Sequence, residues 1–198
     1  VEQIKMTWKG HKSVPVPREF GNPWRYVREQ KIIDVSNPVG EDDQDAVSTV
    51  LIALQPIENS IPMFFVEALK SFNGLRVWIR PHPHQRHQKE KIQTMLDLFA
   101  LENCSIRDDK DLYEEFRSTD ILVTAFSTVA TEGRESQIPV ILTHENAPIA
   151  FGEEIDNETI FYCQDRQQSQ AVIKKLVNQK KALEVPVNYN IEKMLNCF

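Results

Sequence analysis

Glycine is scarce in this sequence, with 6 residues among 198. Phosphate-binding loops of the P-loop and dinucleotide-binding types need several glycines within a short stretch, because the backbone must approach the phosphate closely. No stretch of the sequence has that spacing. We therefore expect any phosphate group to be bound by side chains and by the start of a helix.

Cysteine and long apolar runs are also lacking. The 3 cysteines, Cys104, Cys163 and Cys197, lie far apart and form no CxxC pair. This spacing excludes a zinc ribbon and a dithiol redox motif, and it predicts three reduced thiols in a cytoplasmic protein. No run reaches the roughly 20 apolar residues of a membrane span, and the N-terminus lacks the layout of a signal peptide.

Positive charge is in deficit. Lys and Arg number 23 against 29 Asp and Glu, which leaves a formal net charge of −6. This balance implies no general attraction to nucleic acid, so we expect no nucleic-acid partner. An anionic ligand must be met by a local cluster of donors, because the overall field repels it.

Residues 1–48 are rich in proline and glycine and contain a short acidic run, Glu41-Asp42-Asp43. This composition is typical of a loop or linker, with Lys31–Val35 as the one plausible strand. We interpret these residues as a linker or arm. The sequence starts at Val1 without a methionine, so we expect either that processing removed a segment or that the chain is a piece of a longer protein. Residues 184–198 are interpreted as a C-terminal tail.

Residues 49–183 alternate between apolar runs and amphipathic segments. The apolar runs predict strands at Thr49–Leu54, Leu75–Arg80, Cys104–Ile106, Asp120–Ala125, Ile138–Thr143 and Thr159–Cys163. The amphipathic segments predict helices at Ile61–Phe72 (ended by Asn73-Gly74), Gln88–Leu101, Asp111–Arg117, Thr128–Gln137 and Gln168–Ala182. This pattern is typical of the α/β class, a doubly wound (Rossmann-like) parallel sheet with helices on both faces. In such a fold, ligands bind at the carboxyl ends of the strands.

The second predicted strand runs into a basic loop, Arg80–His87, with the sequence RPHPHQRH. Arginine offers a planar fork of donors that suits phosphate, and histidine donates one hydrogen bond when neutral or two when charged. We expect Pro81 and Pro83 to hold the loop extended, which would present Arg80 and His82 at the edge of the sheet. A solvated loop without a function is the plain alternative.

A metal site is a second alternative for the basic loop. His82 and His84 form an HxH pair like that of some metal-dependent hydrolases, and zinc or iron would accept imidazole. Asp108, Asp109 and Asp120 could add oxygen ligands, but their spacing matches no recognisable ligand set. We therefore expect no metal and no other cofactor.

The fourth predicted strand ends in Thr124–Thr128, where a helix begins. Ser127 and Thr128 are suited to cap that helix, and their hydroxyls, with the free N–H groups of the helix start, could bind a phosphate. Glu132 lies one helical turn further on, where it could accept hydrogen bonds from a ribose diol or be an ordinary charged residue. The polar loop Thr143–Pro148 follows the fifth strand and could contact a base or sugar.

These segments resemble the C-terminal, donor-binding half of GT-B-fold glycosyltransferases. The features that carry the resemblance are the Arg-Pro-His-Pro strand end, the run DILVTAFSTVATEG with Asp120, Ser127 and Glu132, and Pro139 at the start of IPVIL. The His82-Pro83 step and the Ser127-Thr128 pair are similar to two short motifs of bacterial sialyltransferases and related capsule-polysaccharide transferases. In those enzymes, the histidine and the hydroxyl residues contact the phosphate of a cytidine-linked sugar.

The resemblance, which covers about residues 49–183, implies one half of a GT-B architecture and a CMP- or UDP-sugar donor. It implies transfer of the sugar to a glycan or lipid-linked acceptor in surface-polysaccharide synthesis. The substrate-binding residues would be Arg80, His82, Pro83, Ser127, Thr128 and Glu132. In this family the catalytic base usually lies on the N-terminal half. Since 48 proline-rich residues cannot form that half, the resemblance implies that residues 1–48 are an arm from a missing N-terminal domain. We therefore assign no base here and expect the chain to be inactive without that domain, through which it could also associate with a membrane surface.

Several alternatives stay open at this point. The same layout occurs in teichoic-acid-type polymerases and in sugar-nucleotide 2-epimerases, which share the nucleotide site. A non-catalytic α/β module, with the basic loop serving protein contacts, is a third interpretation. Among the carboxylates of the chain, Glu132, Glu145 and Asp120 are the candidates for a base, and none is suited to that role.

Overall fold

The computed structural model describes residues 48–101 and 103–178. All six strands predicted within residues 49–183 are present. They are β1 (Thr49–Ala53), β2 (Arg76–Arg80), β3 (Cys104–Ile106), β4 (Ile121–Thr124), β5 (Val140–Leu142) and β6 (Ile160–Tyr162). The helices are α1 (Met63–Leu69), α2 (Lys89–Phe99), α3 (Leu112–Phe116), α4 (Val129–Glu135), α5 (Ala147–Phe151) and α6 (Arg166–Asn178). Apart from Ser48, the predicted arm, its strand at Lys31–Val35 and the predicted tail lie outside the described residues.

The six strands form one sheet in the order β3-β2-β1-β4-β5-β6, and every neighbouring pair is parallel. All five residues of β1 and all four of β4 are buried, as expected for strands covered on both faces. This arrangement confirms the predicted fold class. No helix in the described part of the chain is long and apolar enough to cross a membrane.

Alternate residues of each strand pack on opposite faces of the sheet. Val50 and Ile52 of β1 belong to a buried cluster that also contains Phe65 of α1, Leu96 of α2 and Ile173 of α6. All five side chains are at most 5% exposed, so these three helices and one face of the sheet share a single core. Each such side chain contributes roughly 1.5–3 kcal/mol through burial.

The opposite face of the sheet is covered by α4, which lies unusually close to it. A Cβ atom at Gly133 would overlap the side chain of Leu122 in β4 and would lie 3.2 Å from Val140 Cγ2 in β5. Glycine therefore allows the close approach between this helix and the sheet. The approach fixes the position of α4 directly after the carboxyl end of β4.

The first helix is shorter than the sequence predicted. Helix α1 ends at Leu69, with Lys70 as its C-cap, and residues 71–75 form turns before β2. Gly74 has a φ of +86°, so it serves one of these turns and is not the C-cap. The Asn73-Gly74 signal was correct for a turn and wrong for the end of the helix.

The basic loop was predicted to be extended, but most of it is helical. Arg80 ends β2 and His82 has an extended backbone, with φ −59° and ψ 146°, and Pro83–Gln88 then form a 3-10 helix that leads into α2. The reason is that the φ fixed by proline suits the first position of a helix as well as an extended chain. The residue before a proline, here His82, is the one that is held extended.

Candidate functional site

The candidate site lies where the strand order reverses. The chain runs from β1 outward to β2 and β3, then returns to β4 on the other side of β1. In register, Ala53 of β1 lies beside both Arg80 of β2 and Thr124 of β4, so the three strands end at one level. In doubly wound sheets, the crevice outside such strand ends is where ligands bind. The loops that start there carry the predicted residues.

The sequence analysis predicted that Arg80 is presented freely at the edge of the sheet. The structure shows instead that hydrogen bonds to other residues hold its side chain. Its Nη1 donates to Oε2 of Glu115 in α3 at 2.7 Å and to the carbonyl of Lys110 at 3.0 Å. The side chain is 14% exposed, and that of Glu115 is fully buried. The Nη2 and Nε groups of Arg80 have no hydrogen-bond partner in the described part of the chain.

Glu115 is a buried carboxyl at this edge that the sequence analysis did not consider. Burial raises its pKa above the ordinary value, while the hydrogen bond and charge of Arg80, and the charge of Arg107, act in the opposite direction. Arg107 itself lies 4.6 Å from the centre of the Trp78 ring. The buried carboxylate of Glu115 thus fixes the position of the Arg80 side chain.

His82 is suited to donate a single hydrogen bond. Its Nδ1 accepts the backbone N–H of His84 at 3.2 Å, so we assign the proton of the neutral ring to Nε2. Burial and the nearby charge of His84 lower the pKa of His82 below its ordinary value. The imidazole is therefore neutral at pH 7, and Nε2–H is the one donor that remains for a ligand.

Pro83 starts the 3-10 helix that fixes His82 in this orientation. The backbone N–H of His82 in turn donates to Oε1 of Gln85 at 3.3 Å, which completes a capping box at the helix start. His87 lies at the other end of the 3-10 helix, exposed and in contact with Gln88 at 3.2 Å. No group of three histidine, cysteine or acidic side chains able to hold a metal ion occurs within residues 48–101 and 103–178.

The loop after β4 presents unpaired N–H groups. Ser127, not Thr128, supplies the side-chain cap of α4, because its Oγ accepts the N–H of Val129 at 3.3 Å. The N–H groups of Ser127 and Thr128 have no acceptor in the described part of the chain. Ser127 is half-buried and Thr128 is exposed, so both N–H groups lie where a ligand can reach them.

Gln55, the second residue after β1, holds this loop in place. Its Oε1 accepts the N–H of Phe126 at 2.7 Å, and its own N–H donates to Oγ of Ser60 at 2.8 Å. The contact bridges the two halves of the sheet at the point where the strand order reverses. The sequence analysis missed Gln55, although a polar side chain directly after an apolar strand is a signal that could have found it.

Glu132 lies in the first turn of α4 and is held by a residue of α3. The hydroxyl of Tyr113 donates to Oε2 of Glu132 at 2.7 Å. Helix α3 therefore contacts both predicted binding segments, the end of β2 and the start of α4. Its Glu115 binds Arg80, and its Tyr113 binds Glu132. The sequence analysis predicted this helix, at Asp111–Arg117, but gave it no part in the site.

The other predicted candidates lie away from this crevice or at its margin. Asp120 lies at the amino end of β4, where its Oδ2 accepts the N–H of Thr49 at 2.8 Å, so it is at the opposite edge. His144 stacks on Phe126 with ring centres 4.9 Å apart, and Glu145 is exposed beside it. The polar loop predicted there continues into helix α5, because Ala147-Pro148 starts a helix.

A cavity of about 250 Å³ lies at the amino edge of the sheet, near the ends of α1 and α2. Its walls include Phe72, Leu75 and Leu101, and none of the predicted site residues reaches it. We place the site at the carboxyl edge instead, because the unpaired donors and the reversal of strand order are found there.

No family model matches the sequence, and no curated protein matches it. Solved structures match the fold at low identity. The S. aureus MnaA–UDP co-structure aligns with a TM-score of 0.57 and 15% identity, over 88% of this chain and 48% of that chain. UDP-GlcNAc 2-epimerase from Methanocaldococcus jannaschii, in complex with UDP-GlcNAc and UDP, aligns with a TM-score of 0.55 and 13% identity, over 87% and 52%.

A glycosyltransferase structure aligns over a smaller part of the chain. Spinosyn rhamnosyltransferase SpnG, complexed with thymidine diphosphate, gives a TM-score of 0.52 and 15% identity, over 67% of this chain and 38% of that chain. The chain spans about half, or less, of the length of these proteins. The likeness shows the fold, which is a GT-B-like, Rossmann-type α/β domain, as the sequence predicted.

Proposed function

We propose that this domain binds a nucleotide sugar in the crevice at the carboxyl ends of β1, β2 and β4, as the donor-binding half of a glycosyltransferase. The observation that carries the proposal is the convergence of unpaired donors there. The Nε2–H of His82 and the N–H groups of Ser127 and Thr128 belong to loops that start from strands ending at one level. Structural neighbours that hold UDP or thymidine diphosphate support the same assignment.

The polar groups of the site divide into a phosphate end, made of hydrogen-bond donors, and a sugar end, made of an acceptor. His82 and the Ser127-Thr128 loop meet the phosphate oxygens, Pro83 fixes His82, and Arg80 contributes charge through its unpaired Nη2 and Nε groups. Glu132, a carboxylate that can only accept, meets the hydroxyls of the nucleotide ribose. A ligand with an anionic group at one end and hydroxyls at the other matches this division.

The arrangement would assist departure of the nucleotide. Negative charge builds on the leaving phosphate as the glycosidic bond breaks, and fixed donors that bind this charge more strongly in the transition state lower the barrier. The guanidinium of Arg80 and the loop N–H groups would supply this stabilisation. In the finer form of the proposal, the donor is a CMP- or UDP-sugar, as in sialyltransferases and capsule transferases. The acceptor is then a glycan or a lipid-linked saccharide of surface-polysaccharide synthesis.

A sugar-nucleotide 2-epimerase is the second candidate. It is favoured by the M. jannaschii UDP-GlcNAc 2-epimerase, which aligns with a TM-score of 0.55, against 0.52 for SpnG. An epimerase shares the nucleotide site but changes its own sugar and needs no acceptor. Analysis of the sugar product after incubation of the 198-residue chain with UDP-GlcNAc and no acceptor would distinguish the two activities.

The proposal is tested by thermal shift on the 198-residue chain with CMP, UDP, CDP and GDP in the presence of EDTA. We expect CMP or UDP to stabilise the protein, by about 2.7 kcal/mol at a hundredfold excess over the dissociation constant. His82→Ala should weaken this binding, since a hydrogen bond to a charged group is worth roughly 1.5–3 kcal/mol. The matched control His87→Ala should leave it unchanged.

Two results would contradict the proposal. If no nucleotide shifts the melting temperature, the crevice is not a nucleotide site and the non-catalytic module is favoured. If His82→Ala and His87→Ala lose binding equally, the basic loop acts through its overall charge and not through the Nε2–H donor of His82. A shift that appears in a parallel assay without EDTA, and only there, would instead show that a metal ion holds the phosphate.

A further inference from the structure

The contact between Tyr113 and Glu132 joins two helices at the edge of the candidate site. The phenol is 6% exposed, and its ring packs edge-on against Phe116 with ring centres 5.7 Å apart. Its hydroxyl donates to Oε2 of Glu132 at 2.7 Å. Because the ring is buried and packs against Phe116, its movement is restricted, and the hydroxyl holds the carboxylate from a defined position.

This contact leaves most of the carboxylate free. An ionised carboxylate only accepts hydrogen bonds and has about four lone-pair sites on its two oxygens. Tyr113 uses one site on Oε2, and Oε1 of Glu132 has no partner in the described part of the chain. The free sites are enough for two hydroxyl donors on neighbouring carbons.

The position of Glu132 suits a ribose next to a bound phosphate. Its backbone N–H reaches the carbonyl of Thr128 at 3.4 Å, so the two residues are one helical turn apart. One turn is about 5.4 Å along the helix, a distance comparable with that between the phosphates of a nucleotide and its ribose hydroxyls. A carboxylate repels phosphate, so the group that it accepts from must be the hydroxyl end of the ligand.

We propose that Tyr113 is a positioning residue that fixes the carboxylate of Glu132 to recognise the 2′-hydroxyl of the donor nucleotide. The site would therefore select ribonucleotides over their 2′-deoxy counterparts. This inference rests on the proposed function, because it needs a nucleotide in the crevice. The physical reason is preorganisation: a free glutamate side chain loses rotamer entropy when it binds, and Tyr113 has already ordered this one.

The test compares nucleotides that differ only at the 2′ position. Dissociation constants of the 198-residue chain are measured by calorimetry for UDP with 2′-deoxy-UDP and for CMP with 2′-deoxy-CMP. We expect the ribonucleotide to bind about tenfold more tightly, as one hydrogen bond to a charged group requires. Tyr113→Phe keeps the ring and removes only the hydroxyl, and its preference should fall to about twofold or less. Glu132→Gln should lose the preference as well.

A matched control and distinct outcomes make the test decisive. Tyr162→Phe removes a phenolic hydroxyl from β6, which is separated from β4 by β5, and should keep the full preference. A wild-type protein that binds ribo- and deoxyribonucleotides equally, or a Tyr113→Phe variant that keeps the preference, overturns the inference and leaves the proposed function standing. A wild-type protein that binds neither UDP nor CMP overturns both.

Discussion

Replacement of Arg80 by alanine should make the stability of the protein depend on pH. Arg80 is the direct partner of the fully buried Glu115, at 2.7 Å. Removal of one partner from a buried ion pair costs about 3–5 kcal/mol, because the other charge is left uncompensated. Arg80 is 14% exposed and Glu115 can escape by binding a proton, so we expect a loss of about 2–3 kcal/mol at pH 8.

The direction of the pH dependence follows from the pKa of Glu115. Burial raises this pKa, and Arg80 opposes the rise, so the alanine variant should have a still higher pKa. A carboxyl whose pKa is raised in the folded state contributes stability below its unfolded pKa of about 4.3 and loses it as the pH rises through the folded pKa. Arg80→Ala should therefore be destabilised more at pH 8 than at pH 5.

Urea denaturation at pH 5, 6.5 and 8 measures this effect as the difference between wild type and Arg80→Ala. Other titrating groups cancel in that difference. The double variant Arg80→Ala with Glu115→Gln should recover part of the loss at pH 8, because the uncompensated charge is gone. An equal loss for Arg80→Ala at all three pH values, or no recovery in the double variant, would refute the buried-pair argument.

Two further substitutions test the packing of α4 and the turn before β6. Gly133→Ala should destabilise the protein by about 1 kcal/mol in urea denaturation, because the overlap of the new Cβ with Leu122 outweighs the higher helix propensity of alanine; an unchanged or higher stability would show that α4 can move off the sheet. In the turn before β6, Oδ1 of Asp156 accepts three backbone N–H groups and Oδ2 accepts a hydrogen bond from the hydroxyl of Thr159. Partial burial acts to raise the pKa of the Asp156 carboxyl, but these hydrogen bonds outweigh it and hold the pKa well below the usual range. The ionised carboxylate therefore stabilises the fold above about pH 4, and this contribution is lost as the pH falls towards the pKa of the folded state. Asp156→Asn should lower the free energy of unfolding by about 1 kcal/mol at pH 7 and by clearly less at pH 3. An equal loss at both pH values would contradict this assignment.

The strands could be predicted from the sequence because burial on both faces leaves a continuous apolar run, as in Val50–Ala53 and Ile121–Val123. An apolar run does not indicate which other strand it pairs with. The position of β1 between β2 and β4 could therefore not be predicted from the sequence and is known from the structure. The end of α1 was predicted wrongly because Asn73-Gly74 marks a turn equally well.

The loops of the candidate site were predicted, but their supports were not. His82 and Ser127 follow strands, a position that marks the carboxyl edge in any parallel sheet. The pairs Arg80–Glu115 and Tyr113–Glu132 join residues 35 and 19 positions apart, and no local pattern reports such contacts. One signal was available: in a helix, Glu115 lies on the same face as the apolar Leu112, and a carboxylate on that face needs a buried partner.

The sheet order also has a consequence for how the protein is made. No pair of strands within the described residues closes through a hairpin, since all are parallel, and β1 meets β4 only across 71 residues. During synthesis, β1 can pair with β2 early, while the N–H and C=O groups along its other edge stay unpaired until β4 is made. An unpaired edge on a strand with mostly apolar side chains is a site of aggregation, so the growing chain is most exposed to misassembly in the interval between β2 and β4. The contact between Gln55 and Phe126, which holds the loop after β4, therefore forms only after this interval.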